Sequence, residues 1–185
     1  MLSSIPLVRI VSKKIQEYRL RQLVVDPVMV AKGGHPLLRE EARKVLAETL
    51  LPLALIVTPN LHEAGLLANM EVHDRPSMEE AARRIKTLGP GYVVVKGGHL
   101  EDEACDLLYD GSGFRAYSSA KFETVCTHGA GCTFSAAITA ALAKGRPVAD
   151  AVSIAKTFVT RAMSAGVLIG QGHAPLNHRA GFLTT

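Results

Sequence analysis

The sequence predicts an α/β fold in which a mainly parallel sheet is covered on both faces by helices, as one domain over residues 1–185. Three observations predict it. Short unbroken runs of Val, Ile and Leu, in "QLVVD", "LALIV" and "YVVVK", read as strands buried on both faces. Between them lie longer stretches with apolar residues at helical spacing, so that strand and helix alternate. No linker, charge block or shift in composition divides the chain, and its length suits one sizeable core.

The elements follow in order. "IPLVRIVSKKIQEYRL" is an amphipathic helix, with Pro6 in the first turn, where its missing N–H costs little. "QLVVD" is a short strand ending at Asp26. "LLREEARKVLAETLLP" is helical and stops at Pro52. "LALIV" is the second strand, ended by "TPN". "LHEAGLLAN" is a short helix, and "SMEEAARRIKTLG" is a longer one with Ser77 as N-cap, Glu80 in capping-box position and Gly89 at its end. "YVVVK" is the third strand. "ACDLLYDGSGFRAYSS" is a hairpin turning at Asp110-Gly111. "GCTFSAAITAALAKG" and "PVADAVSIAKTFVTRAMSAG" are two closing helices.

Composition narrows the function. The net charge of +4 comes from scattered Lys and Arg, without the basic stripe and interleaved aromatics of a nucleic-acid binder, so no nucleic acid is expected as partner. A basic chain still suits an anionic small molecule. No run has the apolar length of a membrane span, and the N-terminus lacks a signal-peptide pattern. Three cysteines, Cys105, Cys126 and Cys132, without a CxxC, suggest free thiols and a reducing cytoplasm.

The chemistry gathers where a parallel sheet places its ligands, at the carboxyl ends of its strands. Asp26 ends the first strand, Asn60 and Glu63 follow the second, and Lys96 ends the third. "KGGH" occurs just past two strands, at 32–35 and 96–99, with flanks that do not match; both read as glycine turns. In "THGAGCTFSAA", Gly129, Ala130, Gly131 and Cys132 open a helix. Small residues there allow close backbone approach, and helix-terminal N–H groups favour an anion such as phosphate. Carboxylates and an amide suit a Mg²⁺ held jointly with phosphates, and a lysine suits phosphate as a point charge. Singly, Asp26 reads as a turn former before Pro27, Glu63 as a first-turn acid and Lys96 as a solvated strand end; together on one edge they read as a site. A zinc site from Cys126, His128 and Cys132 has no usual ligand spacing.

"VVDPVMVAKGG", "TPNLHEAGLL", "VVVKGGH" and "THGAGCTFSAAITAALAKG", together with "GHAPLNH" near the C-terminus, closely resemble the hydroxymethylpyrimidine/phosphomethylpyrimidine kinases of thiamine biosynthesis. These are ribokinase-like enzymes with a three-layer αβα, Rossmann-like fold, and some close relatives are pyridoxine kinases. No GxxxxGK[ST] is present, so the chain is not a P-loop kinase. The resemblance implies ATP as co-substrate, Mg²⁺, a hydroxymethylpyrimidine-type acceptor and a homodimer in the full-length family. It makes Cys132 the catalytic base, also touching substrate, and the amides of Gly129, Ala130 and Gly131 an anion hole. Lys96 would contact ATP phosphates, Asn60 and Glu63 would organise Mg²⁺ and phosphate through water, and Asp26 would lie near both. Val28 and Met1 would line the pyrimidine pocket. A helix N-terminus lowers a nearby thiol's pKa, so Cys132 is expected to be partly thiolate near neutral pH, unlike Cys105 in a strand.

The departure from the family lies at the start of the chain. Met1-Leu2 matches an internal Gly-Met-Leu of full-length members, so the resemblance implies a member without the family's N-terminal strands, which carry most pyrimidine contacts. Two classes stay open: a kinase acting on the pyrimidine (or on pyridoxine), and a non-catalytic nucleotide-binding fragment.

Overall fold

The computed structural model describes residues 2–30, 37–98, 104–119, 124–172 and 174–182. Met1, the first "KGGH" and His99 of the second lie outside them. The helices are α1 (Ile5–Glu17), α2 (Glu40–Thr49), α3 (Leu61–Ala68), α4 (Arg75–Lys86), α5 (Ala130–Ala143), α6 (Val148–Ser164) and the short α7 (His178–Gly181). The strands are β1 (Val24–Val25), β2 (Ile56–Val57), β3 (Tyr92–Gly97), β4 (Ala104–Tyr109) and β5 (Phe114–Ser119), in one sheet of order β1-β2-β3-β4-β5.

Strands β1, β2 and β3 are parallel, and the β4–β5 hairpin extends the sheet antiparallel from β3. Parallel neighbours need a crossover, and helices supply it in each case. Strand side chains alternate between two cores. Val25, Val57, Val93, Val95 and Leu107 face one core with Val8, Leu46, Ala64 and Ile85 of α1 to α4. Ile56, Val94 and Leu108 face the other with Phe134, Ile138, Val152 and Val159 of α5 and α6. The result is the three-layer αβα arrangement. In β3, Val93, Val94 and Val95 are all fully buried, which accounts for the unbroken valine run.

Helix starts differ from the sequence expectation for local reasons. Helix α4 begins at Arg75, and its N-cap is Asp74, not Ser77. Asp74 Oδ1 accepts the Ser77 N–H at 2.8 Å, and Ser77 Oγ accepts the Asp74 N–H at 3.0 Å, a reciprocal capping box. Pro76 fits inside the first turn because that turn's N–H groups have no intrahelical acceptor. Glu80 instead pairs with Arg84 at 2.8 Å. Helix α2 starts at Glu40, because the Leu37 and Leu38 amides donate to Met29 O (2.8 and 3.2 Å). The hairpin turns where expected: Asp110 Oδ1 accepts the Gly113 and Ser112 amides, which holds its pKa down at about 2.

The cap on α4 has a pH signature. Hydrogen bonds from the Ser77 side chain and amide hold the Asp74 carboxyl below its ordinary 3.8. A lowered carboxylate stabilises the fold fully above 3.8, and that contribution disappears as pH falls through the lowered folded-state value. Asp74→Ala is expected to lower Tm at pH 7, with the gap to the unaltered chain narrowing below pH 4. Thermal melts across pH check this; a gap independent of pH would show that the carboxylate does not cap α4.

Candidate functional site

Three strand ends converge. Asp26 follows β1, Thr58 and Asn60 follow β2, and Lys96 is the next-to-last residue of β3. Lys96 Nζ bonds Asp26 Oδ1 at 2.8 Å, with both side chains 14% exposed, so the pair spans from β1 to β3 across β2. The Lys96 amide donates to Pro59 O at 2.8 Å, which fixes the backbone from which the ammonium extends. Asn60 caps α3: its Oδ1 accepts the Glu63 N–H, and a Glu63 carboxylate oxygen accepts the Asn60 N–H, both at 2.9 Å. This capping box carries Glu63 into the site, only 3% exposed. Burial pushes the Glu63 carboxyl above the ordinary range, against the opposing effects of the Asn60 amide and the Lys96 charge.

The start of α5 faces this cluster. Gly129 is its N-cap with φ of +85°, a left-handed conformation that a side chain disfavours. Thr133 N–H makes the first helical bond, to Gly129 O at 2.9 Å. By helix geometry, the amides of Gly131 and Cys132 then have no intrahelical acceptor. The Ala130 amide bends back to Thr127 O at 3.3 Å, so of the expected anion-hole amides it is already engaged in the free chain. A Cβ on Gly131 would lie 3.1 Å from Lys96 Nζ. The glycine therefore lets an ammonium stand beside the amide-rich end of a helix, and both attract an anion.

Two hydroxyls that the sequence reading missed complete the cluster. Ser135 Oγ donates to Gly131 O at 3.1 Å and lies 2.8 Å from Thr58 Oγ1, which in turn is 3.4 Å from Asp26 Oδ1. Thr58 is fully buried and Ser135 is 7% exposed. The only trace in the sequence is a serine four residues after Gly131 in an alanine-rich helix.

Cys132 sits at the third position of α5, exposed enough to meet a solute. Its expected thiolate character is corrected here. Burial and the Asp26 carboxylate, through charge and hydrogen bond, push the thiol up from its ordinary 9.0, outweighing the opposing Lys96 charge. The helix end alone favours a thiolate, but burial, with the Asp26 carboxylate beside it, decides the balance. Val28 is half-buried two residues beyond Asp26, its amide donating to Asp26 O at 2.9 Å. Among the described residues, no group of three or more His, Cys, Asp or Glu stands together as a metal cage. No described helix is long and apolar enough to cross a membrane.

Residues 1–177 match the family described as phosphomethylpyrimidine kinase. The chain is 45% identical over 179 residues to the thiamine biosynthesis bifunctional protein ThiED of Geobacter sulfurreducens, covering 96% of this chain and 36% of that protein. It is 44% identical over 186 residues to the hydroxymethylpyrimidine/phosphomethylpyrimidine kinase of Haemophilus influenzae, covering 97% of this chain and 69% of the other. A crystal structure of an ADP complex of Bacillus subtilis pyridoxal kinase superposes with a TM-score of 0.93 at 43% identity, over 100% of this chain and 70% of that one. The ribokinase-like fold expected from the motifs is thus the fold observed.

The charge balance at Cys132 is open to test. Asp26→Asn removes the carboxylate that opposes the thiolate, so alkylation of Cys132 by iodoacetamide at pH 8 is expected to accelerate. The midpoint of its rate–pH curve should fall from above 9 toward the ordinary thiol value. An unchanged midpoint would remove Asp26 as the cause.

Proposed function

Because the chain belongs to the phosphomethylpyrimidine kinase family, we propose that it carries the nucleotide and phosphoryl-transfer site of an ATP-dependent kinase. Its acceptor would be 4-amino-5-hydroxymethyl-2-methylpyrimidine and its monophosphate, in thiamine biosynthesis. The observation that carries this reading is the meeting of Lys96 with the start of α5, where a Cβ on Gly131 would come within 3.1 Å of the ammonium. An ammonium and helix-terminal amides directed at one place suit a phosphoryl group gaining charge in transfer.

The roles follow from position. Lys96 and the Gly131 and Cys132 amides hold the phosphates, with Gly129 shaping the turn and Ala130 joining them if its bond to Thr127 opens. Asp26 and Glu63, with Asn60 fixing the latter, are hard oxygen donors in the number that Mg²⁺ uses when it is held jointly with phosphates and water. The ion would neutralise phosphate charge there. With the pyrimidine alcohol, Cys132 accepts the hydroxymethyl proton as that oxygen attacks the γ-phosphorus and ADP leaves; with the monophosphate the attacking oxygen is one of its phosphate oxygens. Val28 lies on the acceptor side. The three free thiols fit a reducing cytoplasm. Pyridoxine is the second acceptor reading, favoured by the close superposition on pyridoxal kinase.

Nucleotide binding tests the first half of the proposal on the chain itself. Calorimetry with Mg-ATP is expected to show binding that Gly131→Ala weakens about ten-fold or more while Tm is retained. The new methyl displaces the end of a flexible lysine rather than backbone. A folded chain that takes no nucleotide would sink the reading.

Turnover tests the second half. Cys132→Ala is expected to lower kcat about 10²–10⁴-fold with nucleotide affinity nearly intact. The thiol is raised in the free chain, so kcat/KM, which reports the free enzyme, should keep climbing into the alkaline range. Cys132→Asp should recover part of the rate and move that limb several units lower, since aspartate is ionised at pH 7. Phosphorylation of the pyrimidine, its monophosphate and pyridoxine by each variant separates the acceptors. Near-normal kcat in the alanine variant would take Cys132 out of the reaction.

A further inference from the structure

Behind Lys96, on the α6 side of the sheet, lies an ion pair with no role in the chemistry above. Lys156 Nζ of α6 bonds Asp106 Oδ2 of β4 at 3.0 Å and Ala104 O at 2.6 Å. Both side chains are nearly buried, 13% and 8% exposed. The other carboxylate oxygen, Asp106 Oδ1, accepts the backbone N–H of Gly97 at 3.1 Å. A side chain thus takes the amide immediately after Lys96. Lys96 and Asp106 are also register partners in the β3–β4 ladder.

The geometry points to Lys156 and Asp106 as a positioning pair for the Lys96 ammonium, fixing through the Gly97 N–H the end of β3 from which Lys96 reaches the start of α5. The backbone of Lys96 is then held from two sides. Pro59 O takes its own amide, and Asp106 takes the next one. One ion pair also ties both stems of the β3–β4 connection to α6, since Lys156 holds Ala104 O as well. A pair needed only to glue a hairpin to a helix could do so at any surface position, where long charged side chains are easily solvated. Burying two charges is costly unless their remaining hydrogen-bonding capacity is used, and here it is spent on the backbone next to Lys96.

The inference rests on the reading of Lys96 as a phosphate ligand, so its test separates phosphate from the rest of the nucleotide. Two double variants avoid stranding a buried charge. Asp106→Ala with Lys156→Met removes both charges and the acceptor for Gly97. Asp106→Asn with Lys156→Met removes both charges but keeps an acceptor oxygen. ADP and adenosine affinities are measured by calorimetry on the full chain, and amide hydrogen exchange is followed at Gly97, Val94 and Val95 by NMR.

In the alanine variant, Gly97 exchange is expected to quicken relative to Val94 and Val95. ADP affinity should fall about ten-fold while adenosine affinity changes less than two-fold. The asparagine variant should restore most of both. Exchange at Gly97 that rises no more than at the valines overturns the tether, whether or not nucleotide binds. A local rise with no selective loss of ADP, or equal loss of ADP and adenosine, overturns the positioning role. If the unaltered chain binds neither ligand, the phosphate reading of Lys96 fails together with the positioning built on it, while exchange still reports on the tether. If the alanine variant does not fold, the asparagine variant decides: it must keep ADP selectivity and Gly97 protection, and loss of either overturns the inference.

Discussion

The Lys96–Asp26 ion pair is the contact on which the rest of the site depends. An ammonium beside the start of a helix is unfavourable by itself, because the helix end is also positive. Asp26 supplies the missing negative charge at 2.8 Å. In the free chain its carboxylate occupies the electrostatic role that a phosphate would take. The same charge is felt by its neighbours: it raises the Cys132 thiol and adds to the rise of the buried Glu63 carboxyl. An anion reaching Lys96 therefore competes with Asp26, and freeing Asp26 alters every titrating group nearby. Binding and proton affinity are linked through one residue pair.

That pair is possible because of the sheet order. Parallel β1, β2 and β3 end on the same edge, so residues far apart in sequence arrive side by side. The edge residues were legible in the sequence for this reason: each strand was an unbroken apolar run, and the first polar group after it had to lie at the edge. The start of α5 was legible from its glycines. Less legible was everything decided by a partner across space. Thr58 and Ser135 look like ordinary small polar residues until β2 and α5 are packed 2.8 Å apart at their hydroxyls. Lys156 and Asp106 sit on an amphipathic helix and a hairpin, where charges are normally solvated; only the fold buries them together.

The thiol shows the limit most clearly. Reading Cys132 from its place on a helix gives a lowered pKa, since only the helix end is visible locally. What raises it instead is decided by the fold: burial first, and then the Asp26 carboxylate, which arrives from the loop after β1. The Asp74 cap failed in the milder, opposite way. The signal was local, but the cap was placed on Ser77, three residues past Asp74, and Ser77 turned out to be the other half of the same capping box.

The two sides of the site are unequally built. Toward α5, α6 and the hairpin, Gly131 is held through Ser135 and Gly97 through Asp106, and at the start of α3 Glu63 is held through Asn60. Toward β1 the order thins. β1 is a two-residue edge strand, and Leu7, Ile10, Tyr18 and Leu20 of the neighbouring α1 region lie 42–66% exposed. Val28 lies on this thinner side. On the proposed reading the well-braced side takes the phosphate, which both acceptor readings share. On that reading the choice of acceptor falls to the Val28 side. A difference in acceptor between two members of this family can then arise with Lys96, Asp26 and the start of α5 unchanged.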